Sequence, residues 1–244
     1  MIAKLKPYPT YKDSRVEWLG EVPEHWEVVP LCAIAKPKSI TNQHGRELLS
    51  VYLNRGVIRF SDVKEKRTNV TSEDLSRYQA VDPGDFILNN QQAWRGSVGV
   101  SSYSGIVSPA YLVLSLGLRI NPEFANLLFR GRTMVAQYLI ASRGVGSIQR
   151  NLYWPSLKRV PTLIPPLPEQ TVIVHFLDHK CKSIDHQISQ THRAVKLMLE
   201  YRTRLIADVV TGKIDVHDAA SRLPIKEKTV EKIEDSEDVE EPNG

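Results

Sequence analysis

Short apolar runs separated by turn residues dominate the chain between Glu47 and Leu116. Runs of this length and spacing predict short β-strands. Asn54-Arg55-Gly56 predicts a hairpin turn between two of these runs, and Asp82-Pro83-Gly84-Asp85 predicts a turn before a third. The predicted strands span residues 48–53, 57–60, 86–88, 98–103 and 111–116.

Two helix-start signals interrupt this strand pattern. Thr71, followed three residues later by Asp74, resembles a capping box and predicts a short helix that runs toward Gln79. Asn121-Pro122-Glu123 predicts a second helix, because Asn caps a helix, Pro fits its first turn and Glu favours its positive end. The apolar face of this helix includes Phe124, Leu127, Leu128, Val135, Tyr138 and Leu139. Strands and helices that mix without a steady βαβ alternation predict an α+β domain with a mixed sheet, ending near Ile164.

A long helical segment follows Pro165, Pro166 and Pro168 and is predicted to continue to Thr211, where Gly212 supplies the stop. Its stripe positions follow one another in steps of three and four residues, which is the a/d spacing of a coiled coil. They are Val174, Leu177, Cys181, Ile184, Ile188, Thr191, Val195, Met198, Arg202, Leu205 and Val209. A helix of about 44 residues spans about 65 Å, and a stripe of that length needs a second helix to bury it. We therefore predict a dimerisation surface made of Leu177, Cys181, Ile184, Ile188, Val195, Met198 and Leu205.

Charge is distributed unevenly along the chain. From Lys226 onward the chain has eight acidic residues and three lysines, a net charge of −5. The remaining residues therefore carry +9, which gives the overall net charge of +4. A basic body suits a polyanionic partner, although many basic domains bind no nucleic acid. The charge and apolar patterns together predict a folded α+β domain at residues 1–164, a helix region at 165–216 and a disordered acidic tail at 217–244.

Composition favours a reduced, cytoplasmic protein. Cys32 and Cys181 lie far apart without metal-ligand spacing, and the seven histidines form no HExxH or other metal grouping. No apolar run approaches the length of a membrane span, and the N-terminus lacks the apolar core of a signal peptide. We predict neither a cofactor nor a metal site.

Three apparent enzyme motifs fail on inspection. Asn121-Pro122-Glu123-Phe124 resembles the Asn-Pro-Pro-Phe loop of adenine methyltransferases, but Glu replaces the second proline and a helix cap explains the residues better. Gly144-Val145-Gly146 is too short for a cofactor-binding glycine loop. Asp62-Val63-Lys64 is a nuclease-like fragment without a clear acidic partner upstream. The chain therefore offers no catalytic site that the sequence alone supports.

Four stretches, taken in order, resemble the specificity subunits of type I restriction-modification systems. Residues 17–28 (EWLGEVPEHWEV) resemble the segment with which such subunits begin, and residues 81–88 (VDPGDFIL) are similar to their V-x-x-G-D-I-L strand. Residues 165–170 (PPLPEQ), followed by Ile173, resemble the opening of their spacer helix, and residues 201–216 (YRTRLIADVVTGKIDV) resemble its ending.

The resemblance implies a target recognition domain joined to a long helix, with no catalytic role for the chain itself. It implies double-stranded DNA with a bipartite site, methyltransferase subunits and a separate restriction and translocase subunit as partners. Specificity subunits of this family usually contain two recognition domains and two helices that pair as an antiparallel spacer, whereas this chain has one of each. Either the chain is a naturally half-length subunit, which predicts pairing with a second copy or with a different half-subunit, or it is a fragment of a longer one. A self-paired dimer has two-fold symmetry and predicts a split palindromic target.

Two polar segments are the candidate DNA-binding sites. Asn and Gln amides can bond adenine bidentately and Arg can do so with guanine, so we expect residues 89–97 to read bases. The candidates in this first segment are Asn89, Asn90, Gln91, Gln92, Trp94 and Arg95. The Gly-rich segment 142–150 is predicted to be a loop that meets phosphates, and its candidates are Arg143, Ser147, Gln149 and Arg150. Either segment also fits a plain solvated connector.

Further Lys and Arg side chains are candidates for a phosphate-facing rim, although scattered cations usually only solvate a surface. They are Lys36, Lys38, Arg46, Arg55, Lys64, Lys66 and Arg67.

Two other functions remain open from the sequence. A DNA-modifying enzyme, either an adenine methyltransferase or a nuclease, requires a cofactor or metal site. A pure coiled-coil scaffold leaves the amide-rich segment unexplained.

Overall fold

The computed structural model describes residues 5–43, 45–63, 74–145 and 149–223. Residue contacts divide the chain into two compact units, Met1–Cys181 and Lys182–Gly244. The first unit contains every strand that the structure describes. The second contains the C-terminal part of the long helix and one further short helix.

The first unit is built from fourteen short strands within the described residues. They are β1 (Tyr11–Asp13), β2 (Glu21–Pro23), β3 (Glu27–Pro30), β4 (Ala35–Pro37), β5 (Leu49–Tyr52), β6 (Gly56–Arg59), β7 (Gln79–Val81), β8 (Phe86–Asn89), β9 (Val98–Val100), β10 (Gly105–Val107), β11 (Tyr111–Leu116), β12 (Ser142–Val145), β13 (Gln149–Leu152) and β14 (Pro161–Ile164). A four-stranded antiparallel sheet has the order β4-β11-β8-β9. The other strands form antiparallel pairs, and one parallel bridge joins Leu48 to Ile106.

Five α-helices accompany these strands in the described residues. They are α1 (Pro122–Arg130), α2 (Arg132–Ile140), α3 (Trp154–Leu157), α4 (Leu167–Val210) and α5 (His217–Ala220). Small sheets followed by one long helix confirm the predicted α+β class. None of the described helices is both long enough and apolar enough to cross a membrane.

The four-stranded sheet is buried on both faces, because successive residues of β8 enter different clusters. Phe86 and Leu88 pack with α1 and α2, where the rings of Phe86 and Phe129 stack with centroids 4.4 Å apart. Ile87 packs on the other face with Val51 and neighbouring strands. Burial on both faces explains why β8 is continuously apolar, since side chains alternate between the faces of a strand.

The predicted second helix begins as expected but divides in two. Asn121 Oδ1 accepts hydrogen bonds from the backbone N–H groups of Glu123 (2.8 Å) and Phe124 (3.1 Å), which confirms the predicted cap. Gly131 then takes an extended conformation (φ −63°, ψ 146°) that ends α1 and precedes α2. The prediction of one apolar face running from Phe124 to Leu139 therefore missed a break at glycine, the residue that loses least by leaving a helix.

The prediction of a helix running toward Gln79 is wrong within the described residues. Thr71 lies outside them, and Gln79 begins strand β7. Asp74 Oδ1 instead accepts a hydrogen bond from the N–H of Ser76 (2.9 Å), which stabilises a turn in place of a helix start.

The long helix α4 has the predicted start and stop. Pro168 lies in its first turn, and Gly212, with φ of 72°, follows its last residue by two positions. The seven residues of the predicted dimerisation surface are all exposed, with Ile184 and Ile188 about half accessible. In the predicted disordered tail, His217–Ala220 instead form α5, and Asp215 Oδ1 accepts the N–H of His217 just before it. Residues 224–244 lie outside the described part of the chain.

Candidate nucleic-acid interface

A partly buried ion-pair network supports the strand that leads into the first candidate segment. Lys38 Nζ donates to Asp82 Oδ2 (2.7 Å) and to Asp85 Oδ2 (2.5 Å), and Arg46 donates to Asp82 Oδ1 (2.8 Å). The hydrogen bond from Lys38, with a second from Arg46, lowers the pKa of Asp82. Burial alone would lower the pKa of Lys38, but its hydrogen bonds to the two aspartates outweigh burial and raise it. Lys38 and Asp82 therefore stay charged, and the network holds the turn at 82–85 in place.

The first candidate segment is an ordered turn between β8 and β9. Asn89 Oδ1 accepts the N–H of Gln91 (3.0 Å), and Trp94 Nε1 donates to the carbonyl of Gln91 (3.0 Å). A single 3-10 turn over Ala93–Arg95 buries Ala93 completely, and Ser97 Oγ donates to the carbonyl of Val51 (2.9 Å). The segment is therefore held from within, so the side chains on its outer side are preorganised.

The candidates in this segment differ in accessibility. Gln91 and Arg95 are exposed, whereas Asn89, Asn90, Gln92 and Trp94 are partly buried. The Arg95 guanidinium lies 5.7 Å from the centroid of the Trp94 ring, a cation–π contact. Because Asn89 uses its amide oxygen inside the turn, Gln91 and Arg95 are the better placed of the candidates to meet a ligand.

The second candidate segment is a β-hairpin and not the predicted loop. Strands β12 and β13 pair antiparallel, with Arg143 opposite Asn151 and Gly144 opposite Arg150. The segment lacks the apolar alternation that predicts strands, and backbone pairing holds it despite its glycine. Ser147 lies outside the described residues, and Gln149 lies in β13.

Arg143 and Arg150 are the described cations of this hairpin. The Arg143 guanidinium lies 3.5 Å from the centroid of the Tyr153 ring. Arg143 is exposed and Arg150 is partly buried. Sequence reasoning missed Tyr153, for which the aromatic pair Tyr153-Trp154 directly after the basic segment was the available signal.

The structure brings the two candidate segments together. The N–H of Leu152 in β13 donates to the carbonyl of Asn90 (2.9 Å), so the hairpin joins the turn at 89–97 through the backbone. Gln91, Arg95 and Arg143 thus belong to neighbouring segments of one unit, although 52 positions separate Gln91 from Arg143 in the sequence.

The cations of the predicted phosphate rim differ in their surroundings. Lys38 and Arg46 are engaged by Asp82 and Asp85, whereas Lys36 is exposed. The Arg55 guanidinium lies 5.9 Å from the centroid of the Tyr52 ring. Lys64, Lys66 and Arg67 lie outside the described residues.

The start of the long helix is clamped to the N-terminal segment. Glu169, in the first turn of α4, accepts hydrogen bonds from Tyr8 Oη (2.6 Å) and Trp26 Nε1 (3.1 Å), and its other oxygen lies 2.8 Å from His25 Nε2. Gln170 is fully buried and bonds the backbone of Arg119, Asn121 and Pro165. Burial and the hydrogen bond to Glu169 raise the pKa of Tyr8 to about 12. The residues 17–28 and 165–170 that carry the family resemblance therefore meet in one polar cluster.

The described residues contain no group of three or more His, Cys, Asp or Glu side chains placed to hold a metal ion. Asn121-Pro122-Glu123-Phe124 forms the cap of α1, as the helix interpretation predicts. The side chains that the two candidate segments offer to a ligand are amides, guanidinium groups and aromatic rings.

The chain resembles known proteins at low sequence identity. No family model matches the chain. The chain is 25% identical over 221 residues to a protein named as the MjaX type I restriction enzyme specificity subunit of Methanocaldococcus jannaschii, with 82% of this chain and 50% of that protein covered. It therefore spans about half the length of this curated relative.

Two solved structures share the fold. One, described as the structural basis of complex assembly and conformational transition of the type I R-M system, matches with a TM-score of 0.55 at 17% identity, covering 83% of this chain and 52% of that one. The HsdS subunit of Thermoanaerobacter tengcongensis matches with a TM-score of 0.52 at 16% identity, covering 79% of this chain and 50% of that one. The name of the curated relative, a specificity subunit, agrees with the family that the four motifs indicate. The resemblance carried by the four motifs is thus confirmed: the chain is similar in sequence and fold to about half of a type I restriction enzyme specificity subunit.

Proposed function

We propose that this chain is a DNA-recognition subunit that reads one half of a bipartite target in a type I restriction-modification system. The observation that carries the proposal is the backbone contact between Leu152 and Asn90, which sets two polar segments side by side. Residues 1–164 form the recognition domain, residues 165–216 form the pairing helix, and the acidic tail at 217–244 reads no bases.

The exposed side chains suit direct readout of bases. Gln91 presents an amide, which matches the donor and acceptor pair on the major-groove edge of adenine. Arg95 and Arg143 present guanidinium groups, which match the two acceptors of guanine. Arg150 and the backbone of the hairpin meet phosphates and set the register, because phosphate contacts position a protein while base contacts specify the sequence.

The exposed stripe of α4 supports pairing between helices. A second copy of the chain supplies the partner helix, since the stripe of one helix is complementary to the same stripe in a two-fold dimer. The pair then sets the distance between two half-sites and docks the methyltransferase subunits, which in turn recruit the restriction and translocase subunit. A self-paired dimer reads a split palindrome.

The decisive experiment is single-molecule sequencing of host DNA for methylated adenine, with this gene intact and with it deleted. Loss of one split motif on deletion supports the recognition function, and equal inverted halves support the self-paired dimer. Unequal halves mean that a different half-subunit supplies the second domain. If no motif changes when the partner genes are expressed, the proposal is rejected.

A further inference from the structure

A concave groove beside the first candidate segment is lined by Arg95 and by two further arginines, Arg130 and Arg132, that the proposed base reading does not use. It has a volume of about 630 Å³ and runs between the turn at Asn54, the segment Trp94-Arg95-Gly96, the end of α1 and the start of α2. All of these elements belong to the first unit. Gly96 lies beside Val135 of α2, where a Cβ would lie at an ordinary van der Waals distance of 3.6 Å from Val135 Cγ2, so the segment and the helix form adjoining walls of the groove.

The charges of this groove have one sign. Arg95, Arg130 and Arg132 line it, and its described lining includes no Asp or Glu. Positive charge that no carboxylate neutralises in a concave surface raises the local concentration of an anion. The groove is therefore suited to an anionic ligand.

The three arginines differ in how they are held. Arg130 donates to the carbonyl of Asn54 (2.6 Å), and its guanidinium packs beside Gly56. Arg95 lies over the Trp94 ring. Arg132 is exposed and forms no ion pair or side-chain hydrogen bond with the part of the chain that the structure describes. Arg130 is thus held in the wall by a hydrogen bond, whereas Arg132 keeps its full set of donors.

We propose that this arginine groove binds the phosphate backbone of one DNA strand next to the bases read by residues 89–97, with Arg132 as its main contact. The inference rests on the proposed DNA-reading function and adds a site that the sequence motifs do not indicate. Guanidinium groups match phosphate oxygens bidentately. The partly buried Trp94 and the exposed Leu139, which also line the groove, offer apolar surface to the sugars between phosphates.

The test is the salt dependence of DNA binding by the full chain carrying Arg132→Gln. One lost phosphate contact makes the plot of log affinity against log salt shallower by about 0.9, which weakens binding about fivefold at about 0.15 M salt. The loss is equal for the target duplex and for a scrambled duplex, because a phosphate contact carries no sequence information. Fluorescence anisotropy of labelled duplexes between about 0.05 and 0.2 M salt measures the affinity for each duplex and its dependence on salt.

Two further variants control the result. Arg159→Gln removes an exposed charge from the same unit outside the groove and leaves the slope unchanged. Arg132→Lys keeps the charge and restores the slope. Thermal melting checks that each variant is folded.

The outcomes separate the two proposals. If the wild-type chain prefers its target but Arg132→Gln keeps the full slope, the groove proposal fails and the recognition function stands. An equal loss in Arg159→Gln also overturns the groove, because net charge then explains the effect. If the wild-type chain binds both duplexes equally, the recognition function fails, while the slope difference still decides whether the groove binds phosphate.

Discussion

Trp26 and Glu169 lie 143 positions apart in the sequence, and the indole Nε1 of Trp26 donates a hydrogen bond to Glu169 Oε1 (3.1 Å). The same carboxylate oxygen accepts the hydroxyl of Tyr8 (2.6 Å). Because Glu169 is in the first turn of α4, these bonds fix the start of the long helix to the N-terminal segment of the first unit. The motifs at residues 17–28 and 165–170, which look unrelated in the sequence, are therefore in direct contact at the start of α4.

Replacement of Glu169 by alanine is expected to destabilise the protein by about 2 kcal/mol, the scale of losing hydrogen bonds to a charged group. The partly buried donors of Tyr8 and Trp26 then lose their acceptor. Urea unfolding followed by tryptophan fluorescence measures the change. Glu200→Ala, at an exposed position of the same helix, is the matched control and leaves stability unchanged. Equal effects of the two variants would show that the hydrogen bonds to Glu169 contribute nothing to the free energy of unfolding.

Stability is also expected to fall in acid through Glu169. Burial alone would raise the pKa of this carboxyl, but hydrogen bonds from Tyr8, His25 and Trp26 lower it below its ordinary value of 4.5. A lowered folded-state pKa contributes stability above the unfolded value, and that stability is lost as pH falls through the folded value. The free energy of unfolding should therefore decline below about pH 4.5 more steeply in the wild type than in Glu169→Gln. Parallel curves for the two proteins would contradict the assignment.

The sequence predicts those parts of the fold that local chemistry specifies. Asn54-Arg55-Gly56 joins β5 to β6 as a hairpin, Asn121 caps α1, and Gly212 follows the end of α4. Each depends on residues within a few positions of one another. The hairpin of β12 and β13 was not predicted, because apolar and polar residues alternate only weakly along it and backbone pairing holds its strands together.

The candidate site was predictable as two segments but not as one surface. Residue types alone select Gln91 and Arg143, because amides and guanidinium groups are the usual readers of bases. Their proximity depends on the contact between Asn90 and Leu152, which lie 62 positions apart. The arginine groove was missed for the same reason, since Arg132 and Asn54 approach it from different elements.

Base reading by the first segment predicts a loss of specificity in Gln91→Ala. One bidentate amide contact contributes about 1–3 kcal/mol of discrimination, so affinity for the target duplex should fall about 5- to 150-fold while binding to a scrambled duplex stays the same. Competition binding with both duplexes measures the ratio of the affinity for the target duplex to the affinity for the scrambled duplex. Gln43→Ala, an amide that bonds its own segment at the carbonyl of Thr41, is the control. An unchanged ratio in Gln91→Ala would remove this residue from the reading surface.

Pairing through α4 predicts that Ile188→Asp converts the dimer into a monomer. Ile188 lies on the a/d stripe and is exposed in the single chain, so a partner helix would bury it. An unpaired buried carboxylate costs about 3–5 kcal/mol, which raises the dissociation constant at least about a hundredfold. Sedimentation equilibrium across a range of protein concentrations measures the constant.

Leu197→Asp supplies the matched control for this pairing. Leu197 is an exposed apolar residue of the same helix but lies outside the stripe, two positions after Val195 and one before Met198. Its replacement introduces the same charge and is expected to leave the dimer intact. If both variants dissociate alike, general loss of apolar surface explains the result and the stripe is not the interface. If neither dissociates, or if the wild type is monomeric alone and with the methyltransferase subunits, self-pairing through α4 is rejected.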